Sequence, residues 1–140
     1  MNKGMYSSKR DDWETPREFF DKLNLEFGFN TDVCATKRNA QVPMFFSPEE
    51  NGLVQDWAGN CFMNPPYGRE IGRWVKKAFE ESKKKYCRLV VGLLPARTDT
   101  RWFNEYIYGK AEIRFLKGRL KFGGGQNNAP FPSMIVIWKD

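Results

Sequence analysis

Histidine is absent from this chain. That removes imidazole acid–base catalysis, Ser-His-Asp triads and His-containing metal sites. Cysteine is scarce: Cys34, Cys61 and Cys87 are an odd count with no CxxC spacing. Such a set argues against a disulfide framework and against a cysteine zinc site, so no metal is expected and a reducing cytoplasm is the expected compartment. There is no long apolar run, so no transmembrane helix and no membrane partner are expected. The opening residues, MNKGMYSSKRDDW, lack the apolar core of a secretory signal. Repeats and low-complexity tracts are also missing.

What is present fits one soluble domain. The chain has 140 residues, enough to bury a real core but too few for two independent domains. Lys and Arg number 23 against 17 Asp and Glu, a net charge of +6. This surplus suits a polyanion such as nucleic acid, and equally a plain basic surface. Aromatics make up 16% of the residues. Most must be core, which leaves a few as stacking platforms for bases.

Residues 1–12 read as a polar, flexible segment. Thr15 then reads as an N-cap, Pro16 as the first helical residue and Glu18 as the closing member of a capping box. Phe19, Phe20, Leu23 and Phe27 give that helix its apolar side, and Gly28 can stop it. Residues 29–35 read as a short strand with Asp32 near its carboxyl end. Residues 36–60 are broken by Asn39, Pro43, Pro48, Asn51 and Gly52 into loops and turns.

Residues 61–63 form a short apolar strand halted by Asn64-Pro65-Pro66-Tyr67, since two prolines cannot continue a ladder. Helical spacing of Ile71, Trp74, Val75, Ala78, Phe79 and Tyr86 predicts a helix over 69–86. Leu89–Leu94 reads as a strand buried on both faces, closed by Pro95. Thr98-Asp99-Thr100 offers a cap for a helix carrying Trp102, Phe103, Tyr106 and Ile107, with Gly109 ending it. Strands are expected at 112–116, 120–122 and 133–138, with a mobile glycine-rich loop over 123–128.

This order predicts an α/β fold with a mostly parallel sheet, helices on its faces and an antiparallel pair of final strands. Ligands in such sheets bind beyond the carboxyl ends of strands, where Asp32, Asn64 and Pro95 all fall.

Asn64-Pro65-Pro66-Tyr67 is the strongest signal. At ordinary residue usage its chance occurrence in such a chain is on the order of one in a few thousand. A proline-stiffened turn with a packed tyrosine is the alternative. The chemistry suits an exocyclic base amine, whose lone pair is conjugated into the ring. Two acceptors on its N–H bonds pull the nitrogen toward a pyramidal form and stabilise the charge that grows during attack. The Asn64 side-chain oxygen is one acceptor and the Pro65 carbonyl, held by the rigid Pro65-Pro66 unit, the second. Tyr67 offers a ring for an extruded base. A sulfonium methyl donor is already activated, so positioning does most of the rest and no histidine is required.

With these residues the sequence resembles the phage-type (Dam-like) DNA N6-adenine methyltransferases, compact class I methyltransferases with a Rossmann-like sheet. The resemblance runs from Trp13 to the last strand. It includes Trp13-x-Thr15-Pro16, the Asn64–Tyr67 motif, Leu93–Thr100 and Gly118–Phe122. It implies a single catalytic domain over 13–140 and methyl transfer from S-adenosylmethionine to a flipped adenine of double-stranded DNA, in a bacterial cell or encoded by a phage. The catalytic set is Asn64, Pro65, Pro66 and Tyr67.

For the donor, the resemblance implies Trp13, Thr15, Pro16, Asp32, Asp56, Trp57 and Asn64. Asp32 would contact ribose or methionine, and Asp56-Trp57 the adenine. Capping, staple and solvated-turn roles stand beside these. Larger class I enzymes carry a glycine-rich loop after the first strand. Here Val33-Cys34-Ala35-Thr36-Lys37 has none, so the donor's amino-acid portion is not held there in the usual way.

Arg97, Arg101, Arg119 and Lys121 are the candidates for DNA contact, since they flank predicted strand ends and the glycine loop. The face with Lys76, Lys77, Lys83, Lys84 and Lys85 reads as a solvated outer face. The loop over 123–128 is a candidate reader of adenine edges or a plain hairpin connection. Rival functions are methylation of an RNA base or a protein glutamine amide, and a DNA-binding derivative without catalysis.

Overall fold

The computed structural model describes residues 13–124 and 128–140. The expected flexible segment 1–12 and the centre of the glycine loop, 125–127, lie outside them. The described chain runs α1 (Arg17–Phe27), β1 (Thr31–Asp32), β2 (Met44–Phe45), β3 (Gly59–Met63), α2 (Ile71–Glu81), β4 (Cys87–Pro95), α3 (Arg101–Tyr106), β5 (Glu112–Phe115) and β6 (Ser133–Lys139). Short 3-10 turns lie at Gly52–Val54 and Phe122–Gly124.

The six strands form one sheet in the order β2-β1-β3-β4-β6-β5. The first four are parallel to their neighbours, and β6 runs antiparallel to both β4 and β5. The mostly parallel α/β sheet with an antiparallel terminal pair is therefore present. The long β6, apolar from Met134 to Trp138, is inserted between β4 and β5, where every residue from Ser133 to Trp138 is buried. β4 extends beyond the expected apolar run at both ends, where Cys87 pairs with Gly59 and Pro95 with Ser133.

Both faces are covered. On one, the Phe20 ring of α1 packs edge-on against Phe62 of β3, with centroids 5.0 Å apart. On the other, the Trp138 indole donates to the Tyr106 carbonyl of α3 at 2.7 Å. Tyr106 in turn packs against Phe79 of α2. Gly92 lies under this second layer, where a Cβ would sit 3.2 Å from both Met63 and Trp138. α3 begins as expected, with the Thr100 hydroxyl accepting from the Phe103 N–H.

Several expectations need correction. α1 begins at Arg17, with Pro16 in the cap position at ψ 133° and no side-chain cap bond. The capping box is not formed, because the Thr15 hydroxyl is engaged elsewhere. The strand over 29–35 pairs only at Thr31–Asp32. Asp32 itself accepts the Cys34 N–H and bends the chain away. The segment 36–60 hides β2, whose two residues are too short to show a period.

The helix over 69–86 is only Ile71–Glu81. Tyr86 is exposed beyond a turn, and its carbonyl accepts from Gly59 to open the β3–β4 ladder. Residues 120–122 form no strand. Phe122 opens the 3-10 turn, pinned where the Gly123 N–H donates to the Glu14 carbonyl.

Candidate active site

β1, β3 and β4 are neighbours and parallel, so Asp32, Met63 and Pro95 end on one edge of the sheet. Asn64 follows Met63 directly. Its side-chain Nδ2 donates to the Trp13 carbonyl and, at 2.9 Å, to Thr15 Oγ1. A carbonyl can only accept, so this contact defines which end of the amide faces Trp13. The other end, Oδ1, is buried and has no partner among the described residues. An unpaired buried acceptor costs about 1–3 kcal/mol, and of the three such side-chain atoms among the described residues only that of Asn64 belongs to a residue on a cavity wall.

Beside it lies a cavity of about 390 Å³. Its walls come from the segment after β1 (Cys34, Ala35, Thr36, Asn39), from Ser47, Pro48, Asn51 and Gly52, and from Asn64, Pro66, Glu70 and Trp74. A mainly apolar wall with a few polar groups is the usual make-up of a cofactor pocket of this size. Gly52 is required there: a Cβ would meet the Val33 carbonyl at 2.2 Å and the Trp74 ring at 3.1 Å. Chain bending at Asn51, with φ +57°, brings it in.

Asp32 is 2% exposed. Its carboxylate accepts the Cys34 and Gln41 N–H groups at 3.3 and 3.1 Å. Burial pushes its pKa up to about 6, against the lowering effect of those two bonds. It does not line the cavity but shapes the loop that does. Trp13 and Thr15 reach the site through the Asn64 amide. Pro16 sets the entry into α1.

Asp56 is 99% exposed and faces Lys84. Trp57 is core: its indole donates to the Gly52 carbonyl at 2.9 Å and its ring stacks on Trp74. Trp57 supports the cavity wall from behind, and neither residue is part of its surface.

Pro65 is buried and Pro66 is on the cavity wall. The Tyr67 ring is only 3% exposed and packs edge-on against Phe122 and Phe131. Its hydroxyl donates to the Leu93 carbonyl at 2.6 Å, and burial holds the phenol well above its ordinary pKa. Its faces are thus taken by neighbouring rings, not open to a base. Arg97 is exposed and lies over Phe131, 5.7 Å from the ring centre. Arg119 and Lys121 are exposed, and Arg119 donates to the Ala129 carbonyl. Arg101 is ion-paired with Glu105.

Sequence reading missed the wall from Cys34 to Gly52 and Trp74. The only local signal was Asn51-Gly52, a turn dipeptide.

A mostly parallel sheet with a cavity at its carboxyl edge, lined by a residue whose amide oxygen is unpaired among the described residues, is the arrangement in which open α/β sheets take ligands. The profile of the DNA N-6-adenine-methyltransferase (Dam) family matches residues 3–140, and the chain belongs to that family. A protein of Escherichia phage T1 named DNA N-6-adenine-methyltransferase is 36% identical over 114 residues, covering 79% of this chain and 47% of that protein. An Escherichia coli (strain K12) protein named "Putative methyltransferase YfdM" is 35% identical over 65 residues, 41% of this chain and 71% of that protein. The chain thus spans about half the length of the phage relative.

Proposed function

We propose that this chain is an S-adenosylmethionine-dependent DNA methyltransferase acting on the exocyclic N6 amine of a flipped adenine. The observation that carries the reading is the Asn64 amide, with both N–H groups committed and Oδ1 buried and unpaired. That oxygen would accept from the adenine amine. The Pro65 carbonyl, stiffened by Pro66, is the second acceptor. Together they favour the pyramidal, attacking form of the nitrogen.

The cavity suits the donor. Thr36, Asn39, Ser47 and Asn51 offer polar contacts, and Trp74 and Pro48 offer apolar ones. S-adenosylmethionine, when bound, supplies an electrophilic sulfonium methyl group. The chain's own work is to hold reactants adjacent and to exclude water. Asp32 keeps the wall loop in place from below. Trp13 and Thr15 serve the amide, and Trp57 serves Trp74. Asp56, on open surface, is not assigned to the donor.

Phosphates would be met by Arg97, Arg119 and Lys121, which have no ion-pair partner among the described residues. Arg101 contributes less, because Glu105 offsets its charge. Tyr67, packed beneath Phe122 and Phe131, would support the base pocket as a wall. Among the described residues no helix is long and apolar enough to cross a membrane, and the substrate implies the cytoplasm of a bacterial host.

The test is to incubate the chain with labelled donor and, separately, DNA, RNA and cell extract, then digest and identify the modified unit. N6-methyladenine in DNA is expected. Label in RNA or in protein glutamine, or tight DNA binding without transfer, overturns the reading.

A further inference from the structure

We propose that Thr15 and Gln41 are positioning residues that aim the Asn64 amide and couple it to the cavity wall. The inference rests on the functional reading above and adds two residues that act through Asn64 without touching substrate. The carboxamide has two N–H bonds, and the structure gives each an acceptor: the Trp13 carbonyl and Thr15 Oγ1. Reversal of the amide would set its oxygen against the Trp13 carbonyl, two acceptors face to face. Thr15 is itself buried, so water does not replace its hydroxyl easily.

Gln41 holds the clamp in place. Its Nε2 donates to the Thr15 carbonyl at 3.2 Å, and its backbone N–H donates to Asp32 Oδ2 at 3.1 Å. Arg17 Nη1 donates to the Gln41 side-chain and backbone oxygens at 3.0 and 3.1 Å. Gln41 therefore ties the segment that clamps Asn64 to the carboxylate that bends the chain into the cavity wall. Cys34, Ala35, Thr36 and Asn39, between those two anchors, line the cavity. The Arg38–Glu14 ion pair makes a second link between the same two segments. The wall that would hold the donor and the amide that would hold the base amine are thus one hydrogen-bonded unit.

The experiment compares wild type with Thr15→Val, Thr15→Ser and Gln41→Ala in the full chain. Solvent exchange of the Asn64 side-chain NH2 is read by NMR, with its resonance assigned by loss in Asn64→Ala. Turnover and KM for DNA are read in parallel, with thermal melting as a control. Thr15→Val is expected to speed exchange about tenfold and lower kcat about tenfold or more, with KM within about twofold. Thr15→Ser restores both, and Gln41→Ala shifts both in the same direction by less. Thr15→Ala is the second variant if valine compromises folding.

Unchanged exchange in both non-hydroxyl variants overturns the proposal, as does a Thr15→Ser variant as impaired as Thr15→Val. A wild-type chain that methylates no adenine counts against the functional reading alone. The exchange measurement still decides the clamp.

Discussion

Among the described residues two carboxylates are buried, Asp32 at 2% exposure and Glu81 at 1%, and their surroundings differ. Glu81 closes α2 beside the amino end of β4. It accepts the Trp57 N–H at 2.8 Å and pairs with Lys77 and Lys84. Burial alone would raise its pKa, but Lys84, the Trp57 N–H and Lys77 together bring it below the ordinary value. Asp32, at the carboxyl edge, has two backbone N–H groups and no cation, and its pKa rises to about 6.

At the amino edge Glu81 meets three matched partners, although Asn60 Oδ1 at the start of β3 is buried with none among the described residues. At the carboxyl edge, among the described residues, Asp32 lacks a cation and Asn64 Oδ1 lacks a donor. What sets Asn64 apart is that its unmet oxygen lies beside a cavity, as Asn60 Oδ1 does not.

The comparison predicts a separation of activity from stability. Asn64→Ala is expected to lower methyl transfer by about a thousandfold or more with an unaltered urea midpoint. Retained transfer would remove the carboxyl edge from the chemistry. Glu81→Ala should do the reverse, costing about 3 kcal/mol of stability because Lys77 and the Trp57 N–H lose their partner. Turnover per folded molecule should stay at the wild-type level, and urea titration with active-site counting checks both.

The pH response separates the two carboxylates further. Asp32 holds its proton more tightly when folded than its ordinary value of 3.8 would allow unfolded. Its contribution to stability is full below about pH 4 and lost as pH rises through about 6, a swing of about 3 kcal/mol. Glu81 has the opposite sign: its stabilisation is lost as pH falls through its depressed value. The urea midpoint of wild type should fall relative to that of Asp32→Asn as pH rises from about 4 to 7. A constant difference would mean that the Asp32 carboxyl titrates normally.

The smallest effect concerns DNA. Arg119→Ala or Arg97→Ala is expected to weaken binding a few-fold and to flatten the salt slope by about 0.9 each. Lys85→Ala, on the turn that enters the amino end of β4, should leave both unchanged. Equal losses at all three positions would mean that the surface is uniformly sticky.

Much of the carboxyl edge is legible in the residues themselves. Alternation of apolar runs with helical spacing puts Asp32, Asn64 and Pro95 at strand ends, and parallel pairing of β1, β3 and β4 puts those ends together. The Asn64–Tyr67 motif needs only four adjacent residues. The Thr100 cap is local too, and it forms as the spacing predicts. Thr15 shows the limit. Its side chain reads as a cap by the same local rule, yet Asn64, 49 positions away, takes the hydroxyl instead. Asp56-Trp57 shows the same limit: a resemblance over two residues could not show that Glu81 and Gly52 hold the tryptophan inside the core.

By itself the sequence determined the family, the α/β order and the motif, because these rest on short-range spacing and on residue types with few other uses. Tertiary structure decided which groups of the motif remain unpaired and what forms the cavity wall. Those outcomes depend on contacts between Trp13–Thr15, Asp32–Gln41, Ser47–Gly52 and Asn64, segments far apart in the chain. They meet only once the parallel strands have set their register, and no local pattern encodes that meeting.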